Sequence, residues 1–546
     1  FTVHCSLFTV RCSVFTVRCL HCTMVNTRRD FLYTIILGSG AVFLAPLPGC
    51  GPARIDEGEP QVTKVAEPLR PRVGTPQFRV AHDFLRDGKP LPQPTTTVRK
   101  DVVVVGGGLS GLTAALVLQT HGIDSIVLES EARLGGAAVS EQIKDVSVPL
   151  GSVYFVSRTE EIDMLMKVAR IEPVQCPDDA YILSDGQIVQ DLWSDRTLKE
   201  AIRDERDRDG MRRFRDMLSV MDADLPSYPL PASLSPRLQA HDAQRSSDLA
   251  HHYGSATLNT IINAYSRSSM GAPSTKTNAY CLLNFYQSEL GSSFGYSRYS
   301  FPGGTSQLTN GVAAALKNTR PSALVARVHE TPNTVEVDVV ELDGTVTRYI
   351  APFGIIAVPK YQLSRMLTGV GAQRAEALKK ISYAPYVTMQ ISSRVAIATG
   401  KAYDTWDLRV ENSYTDVIDP MCIQRGSSAH VVSLYVPLDP TQRTMLQDPE
   451  AFARFTAKTV ERFAAGLTDE QRTSITDVHC WGWGHGIVIP SPGTHNGAAQ
   501  TASAATPRLR FAGTDSDCAP AIENATEQGA RAARDVIAQL QQRSGR

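Results

Sequence analysis

Three glycines and one acid carry the clearest chemistry in this 546-residue chain. Gly106, Gly108 and Gly111 form G-x-G-x-x-G directly after Val102-Val103-Val104-Val105, and Glu129 lies eighteen positions beyond Gly111 (129 − 111). The chemistry such a set performs is recognition of a dinucleotide. The first glycine allows a tight turn, the second lets a pyrophosphate approach the backbone, and the third lets a helix pack closely on a strand. Leu109 and Ser110, between the glycines, complete the candidate cradle. A carboxylate at Glu129 can accept the hydroxyls of an unphosphorylated ribose, which favours FAD or NAD over NADP.

The surrounding elements must hold these residues in place. The β-branched run reads as a buried parallel strand. The helix after the turn, with Leu109, Leu112 and Leu116 on one face, stops at His121-Gly122. A second strand, Ser125-Ile126-Val127-Leu128, then delivers Glu129. A bare glycine-rich turn would not be followed by helix, strand and acid in that order.

A second glycine pair, Gly135-Gly136, lets another loop approach the same ligand. Near the end of the chain, LRFAGTD is followed by IENATEQGARAARDVIAQL. That is a strand ending at Ala-Gly-Thr and a helix with Ala525, Gly529, Ala532 and Ala533 on its buried faces. Together these motifs resemble the flavin-containing amine oxidase superfamily, which includes monoamine and polyamine oxidases, L-amino-acid oxidases and desaturases. The resemblance implies an α/β fold, a Rossmann-like FAD-binding domain interleaved with an α+β substrate domain. It implies tight, non-covalent FAD and adds Gly136, Gly151, Ser152, Val325, Gly513, Asp515 and Ala525 as cofactor contacts. The positive end of the helix near Ala525 would stabilise negative charge on reduced flavin. Three positions depart from the family pattern. Ala137-Ala138 replace its Arg-Thr, the acid after Ala-Gly is shifted to Asp515, and Thr388 stands where many family oxidases carry a lysine beside the flavin.

The resemblance orders the rest of the chain. Residues 100–160, 301–360 and 491–546 are expected to build the FAD-binding domain, and 161–300 and 361–490 the substrate domain. The first substrate segment reads as helical, with amphipathic stretches at 161–170 and 196–221, the latter a charged, solvated face. Tyr265, Tyr280, Phe285 and Tyr286 recur at helical spacing and read as core. The strand around Val325 leads into a hairpin turning at Asp343-Gly344. CWGWGHG, 480–486, sets two tryptophans among glycines as cavity lining or seam packing; His485 reads as structural, and a covalent flavin link at Cys480 is disfavoured.

Charge and leader bound the setting. With 55 basic and 56 acidic residues the chain offers no basic stripe, so a small-molecule substrate is expected rather than nucleic acid. Residues 1–23 hold a tandem repeat with Cys5, Cys12, Cys19 and Cys22 but no second ligand pair, so no metal is expected. They read as upstream sequence translated in error. From Met24, residues 24–50 read as a twin-arginine signal with Arg28-Arg29 before Phe31-Leu32, and Cys50 follows Leu47-Pro48-Gly49 as a candidate lipidated residue. Residues 51–99 read as a proline-rich linker of some 49 residues, reaching roughly 40 Å. The expected address is a bacterial cell envelope, periplasmic, with membrane anchoring through Cys50.

The expected function is FAD-dependent oxidation of an amine, with hydride taken from a C–H next to nitrogen. A desaturase- or porphyrinogen-oxidase-like enzyme is the alternative raised by Thr388, and a non-catalytic flavin-loaded electron-transfer lipoprotein is a third reading. The sequence assigns no catalytic residue and no electron acceptor, whether oxygen, quinone or protein.

Overall fold

The computed structural model describes residues 8–11, 16–19, 72–74, 81–220, 228–231, 233–291, 298–398, 400–409, 414–424 and 426–544. The chain divides into two units, Phe1–Ala66 and Glu67–Arg546. In the first, the described residues form one hairpin, Phe8–Arg11 paired with Thr16–Cys19. The twin-arginine pair and Cys50 lie outside the described residues, and among those described no helix is long and apolar enough to cross a membrane.

The second unit is built on a five-stranded parallel sheet in the order Thr319–Arg320, Ser125–Leu128, Val102–Val105, Phe353–Ile356, Leu509–Phe511. Val102–Val105 lies at its centre, covered on both faces. That is why four consecutive β-branched residues are needed where a one-sided strand would alternate. One face packs on two helices, Leu109–Thr120 and Ile522–Ser544, through Val102, Val104, Ala114, Leu118, Ala530 and Ala533. The other packs on a four-stranded sheet through Val103, Val105, Val325 and Val337. Close approach is enforced by absent side chains. A Cβ on Gly111 would lie 1.9 Å from the Gly106 carbonyl oxygen, and one on Gly529 would lie 2.1 Å from that of Ser110. Helix therefore sits on strand, and helix on helix, at backbone contact.

The unit also contains an eight-stranded sheet. Its longest strands, Ser382–Ser393 and Ile475–Ile489, pair with each other and, through the first, with His430–Pro437. Three expectations are corrected here. The segment 161–300 is not wholly helical, because Ala180–Ile182 and Ile188–Gln190 join this sheet beside Asp404–Asp407. The helix expected at 196–221 is two, Asp195–Ala201 and Glu205–Val220. Between them Ile202 turns extended, and the Asp204 carboxylate accepts from the N–H groups of Arg206 and Asp207, ending one helix and starting another. The charged periodicity runs through the break and hides it, although Met211, Phe214 and Leu218 do form the buried stripe. The linker 51–99 is partly structural. Arg72–Gly74 is the edge strand beside Ile475–Ile489, and Thr96–Arg99 runs parallel to Val346–Ala351. Both strands are too short to show a period against their proline-rich surroundings.

Candidate active site

One elongated cavity of about 460 Å³ runs between the parallel sheet and the eight-stranded sheet. At one end lie Gly106, Gly108, Leu109 and Ser110, at the start of the helix Leu109–Thr120. The first N–H groups of a helix have no intrahelical acceptor, so this end offers donors and a positive dipole to an anion. Glu129 lies beside them, 9% exposed; its carboxylate accepts from the N–H of Gly107 at 2.7 Å, the N–H of Glu131 at 2.9 Å and the Ser130 hydroxyl at 3.1 Å. Burial pushes this carboxyl above its ordinary range in spite of those donors. Gly136, Gly151, Ser152 and Val325 line the cavity further along.

Gly513, Asp515 and Ala525 reach the same cavity from the C-terminal segment. The Ser110 hydroxyl donates to the Ala525 carbonyl at 2.7 Å, tying the starts of the two helices together. Glu523, in the first turn of Ile522–Ser544, accepts at Oε1 from the N–H groups of Val156 and Ser157, at 2.6 and 2.8 Å. Burial raises its carboxyl to about 7.

The other end of the cavity rests on the eight-stranded sheet. Trp481, Thr388, Tyr435, Asp416 and Trp406 stand in register across five strands, and the middle three line the cavity. Tyr386 and Trp483 form the adjacent row, and the Trp483 indole donates to the Leu150 carbonyl at 2.6 Å. Behind this floor Arg298 is buried among carboxylates: Asp179 at 2.5 Å, Glu289 at 2.8 Å and Asp404 at 3.4 Å. Tyr154 covers its guanidinium at 4.5 Å, and the Tyr265 hydroxyl donates to Glu289 at 2.7 Å. Asp416, also buried, is raised by burial to about 6.

All the expected cofactor residues meet at this cavity except Gly111, which lies one layer behind as packing. Asp515 lines it with both oxygens engaged. Oδ1 accepts from the Lys360 ammonium at 2.8 Å, and Oδ2 from the Lys360 N–H at 2.7 Å and the Tyr383 hydroxyl at 2.6 Å. Thr388 donates its hydroxyl to the Leu150 carbonyl at 3.3 Å. His485 stacks on Tyr361 at 3.9 Å, and burial lowers its pKa to about 4, leaving the ring uncharged at neutral pH. Cys480 is fully buried in the core behind the sheet, off the cavity. Cys176, Cys281, Cys422, Cys480 and Cys518 are free. Sequence reasoning missed Glu289, Arg298, Asp416, Tyr386, Tyr435 and Lys360. Of these, Tyr386 stood nearest a residue already read, two positions before Thr388.

A parallel sheet with a glycine cradle at one end of a long cavity, and an antiparallel floor at the other, defines a two-part dinucleotide enzyme. The model of the family described as flavin containing amine oxidoreductase matches residues 109–537. The chain belongs to that family. Similar curated proteins include a flavin-containing amine oxidase of Danio rerio, 46% identical over 55 residues, 10% of each chain. Amine oxidase A of Sus scrofa is 40% identical over 73 residues, 13% of this chain and 14% of the other. A pseudooxynicotine dehydrogenase of Pseudomonas sp is 39% identical over 59 residues, 11% and 12%. These alignments span about a tenth to a seventh of the curated relatives' length. Among solved structures, putrescine oxidase bound to putrescine has 17% identity and a TM-score of 0.66, covering 81% of this chain and 100% of that one. Cyclohexylamine oxidase from Brevibacterium oxydans IH-35A has 18% identity and a TM-score of 0.63, covering 81% and 99%. These structural likenesses are of fold.

The residues present fit FAD. A Cβ on Gly108 would lie 3.6 Å from the Gly136 Cα, so the cradle is narrow and lined by backbone, and a buried carboxylate stands beside it. With Ala137-Ala138 in place of Arg-Thr, the described lining includes no arginine or lysine. The helix start at Leu109 and Ser110 is thus the main positive element there for a pyrophosphate.

Proposed function

We propose that the protein is an FAD-dependent oxidoreductase of the amine oxidase type. The observation that carries this reading is convergence. Segments around 106–111, 129–156 and 513–525 build one end of a cavity whose other end is an aromatic and acidic chamber. FAD, when bound, supplies an acceptor for hydride from a C–H next to nitrogen. The protein's part is holding and shaping. Glu129 receives ribose hydroxyls, the start of Leu109–Thr120 meets the pyrophosphate, and the start of Ile522–Ser544 favours negative charge on the reduced ring. Tyr386, Tyr435 and Trp483 form walls that exclude water and favour an ammonium or amine. Thr388 and its carbonyl partner leave no lysine on this floor, which keeps a desaturase-like reaction as the second reading.

The test is anaerobic mixing of holoprotein with a panel of amines, amino acids and polyenes while flavin absorbance is followed. Bleaching by amines is expected. Bleaching by polyenes alone would move the assignment to the second reading, and bleaching by none would leave a flavin-loaded carrier.

For its address, we propose twin-arginine export to the periplasm of a bacterium, with lipid retention through Cys50. Arg28-Arg29-Asp30-Phe31-Leu32 supports the first and Leu47-Pro48-Gly49-Cys50 the second. A cofactor held by segments some 400 residues apart suits export in the folded state (523 − 106 = 417). Replacing both arginines by lysine is expected to leave FAD-loaded protein in the cytoplasm; full export of that variant would contradict the proposal.

A further inference from the structure

The closing helix carries two acids on one face. Glu523 and Glu527, four residues apart in Ile522–Ser544, have Cβ atoms about 6 Å apart, one above the other. Glu523 is 1% exposed and lines the cavity, whereas Glu527 is half-buried and lies off it. The segment 228–231 runs beside the same face, because the Leu230 N–H donates to Glu527 Oε2 at 3.2 Å. Two residues of chain reach up to about 7 Å, close to one helical turn, so Tyr228 comes level with Glu523. Burial, and after it the charge of Glu523, push the Tyr228 phenol well above its ordinary range. Its buried hydroxyl has no hydrogen-bond partner among the described residues, and neither has that of Tyr280. Tyr280 stands near Tyr228 on one side and has Asp517, Cys281, Asp242 and Glu527 around it. Native structures rarely leave such hydroxyls idle. Glu289 and Tyr228 are the ionisable groups facing Glu523, and Asp517, Arg531, Glu161 and Tyr280 those facing Glu527. Ahead of these charges, burial raises both carboxyls to about 7.

We propose that Glu523, Tyr228, Tyr280 and Glu527 form a relay that carries protons between the cavity and solvent. Its use rests on the amine-oxidising reading above. Oxidation of an ammonium, R–CH2–NH3+, to the iminium R–CH=NH2+ breaks a C–H bond, whose hydrogen leaves with the electron pair as hydride to the cofactor. It also breaks an N–H bond, whose proton needs an outlet. Glu523 Oε1 accepts from Val156 and Ser157, which leaves Oε2 to take that proton. The neutral carboxyl then gives a proton to the Tyr228 oxygen while this hydroxyl passes its own to Tyr280, so no phenolate forms. Tyr280 does the same toward Glu527, which releases a proton to solvent. One proton leaves at Glu527 for each that enters at Glu523, and rotation of the two hydroxyls resets the relay. Glu289 and Asp515, locked in ion pairs with Arg298 and Lys360, are poor rivals for the entry point.

The test uses FAD-loaded protein and no amine. A stopped-flow jump from about pH 6 to about pH 8 changes the charge on Glu523, and the flavin absorbance reports that charge from within the same cavity. Wild type is expected to show a spectral shift with its midpoint near 7, and Glu523→Gln to abolish it. Glu527→Gln and Tyr228→Phe each keep Glu523 and the packing while removing one member of the relay. Both should still show the shift but reach it at least about tenfold more slowly than wild type, less than the roughly hundredfold a positioned proton carrier contributes. Glu527→Asp should recover part of the rate. No shift in wild type, a shift that survives in Glu523→Gln, or relaxation in Glu527→Gln or Tyr228→Phe as fast as in wild type overturns the proposal. The amine-oxidising reading fails separately, in the bleaching panel, since the pH jump stands without any substrate.

Discussion

Glu129 keeps three hydrogen-bond donors although it is nearly sealed from solvent, so its carboxylate is fixed before any ligand arrives. A fixed acceptor loses little freedom on binding, and hydrogen bonds to a charged group contribute about 1.5–3 kcal/mol. Glu129→Ala should therefore weaken FAD binding roughly 10- to 100-fold, read by titrating apoprotein with FAD and following flavin fluorescence. Glu523 gives a pH signature. Its ordinary value is 4.5 and its folded value about 7. Between these the folded protein holds a proton that the unfolded chain has released, so this group lowers stability as pH rises through that window. Above about 7 the loss is complete, and below about 4.5 it is absent. Glu523→Gln keeps an acceptor for Val156 and Ser157 and removes the charge. Thermal melts of the apoprotein should show the variant more stable than wild type at pH 8 and indistinguishable from it at pH 4. An equal gain at both would mean that ionisation is not the cause.

At the scale of elements, the contact between Leu109–Thr120 and Ile522–Ser544 is the joint that aims two helix starts at one cavity. Gly529→Val would drive a side chain into the Ser110 carbonyl, costing about 1–3 kcal/mol by overpacking and separating the helices. Reduced FAD content should accompany the lower Tm. Asp204→Ala provides the contrast. Loss of that cap should cost about 1 kcal/mol and leave FAD content unchanged, because Asp204 is exposed at the start of the helix Glu205–Val220 and does not line the cavity. These two sites also mark what was legible. The glycine cradle, the valine strand and the closing helix each write their demands within a few consecutive residues, so the dinucleotide half could be read from sequence. The break at Ile202 is set by one carboxylate inside a run of charges, and the strand Arg72–Gly74 by a neighbour some 400 residues away (479 − 72 = 407). Neither leaves a local period.

At the scale of the whole molecule, the substrate end is made by register rather than by motif. Asp404 and Asp416 stand on neighbouring strands of the eight-stranded sheet and Asp179 just before another, while Glu289 and Arg298 come to them from segments outside it. No spacing in the sequence announces that cluster, so the chamber's charge was hidden even where the family was plain. The cofactor end shares the dependence on distant segments but is marked by glycines at each of them. The account accordingly stands on that end being filled. The most direct measurement is the visible spectrum of the purified protein, followed by acid or heat release of its chromophore. Bands near about 370 and 450 nm and one released FAD per chain are predicted. A colourless protein that takes up no FAD on reconstitution would contradict the account at its centre.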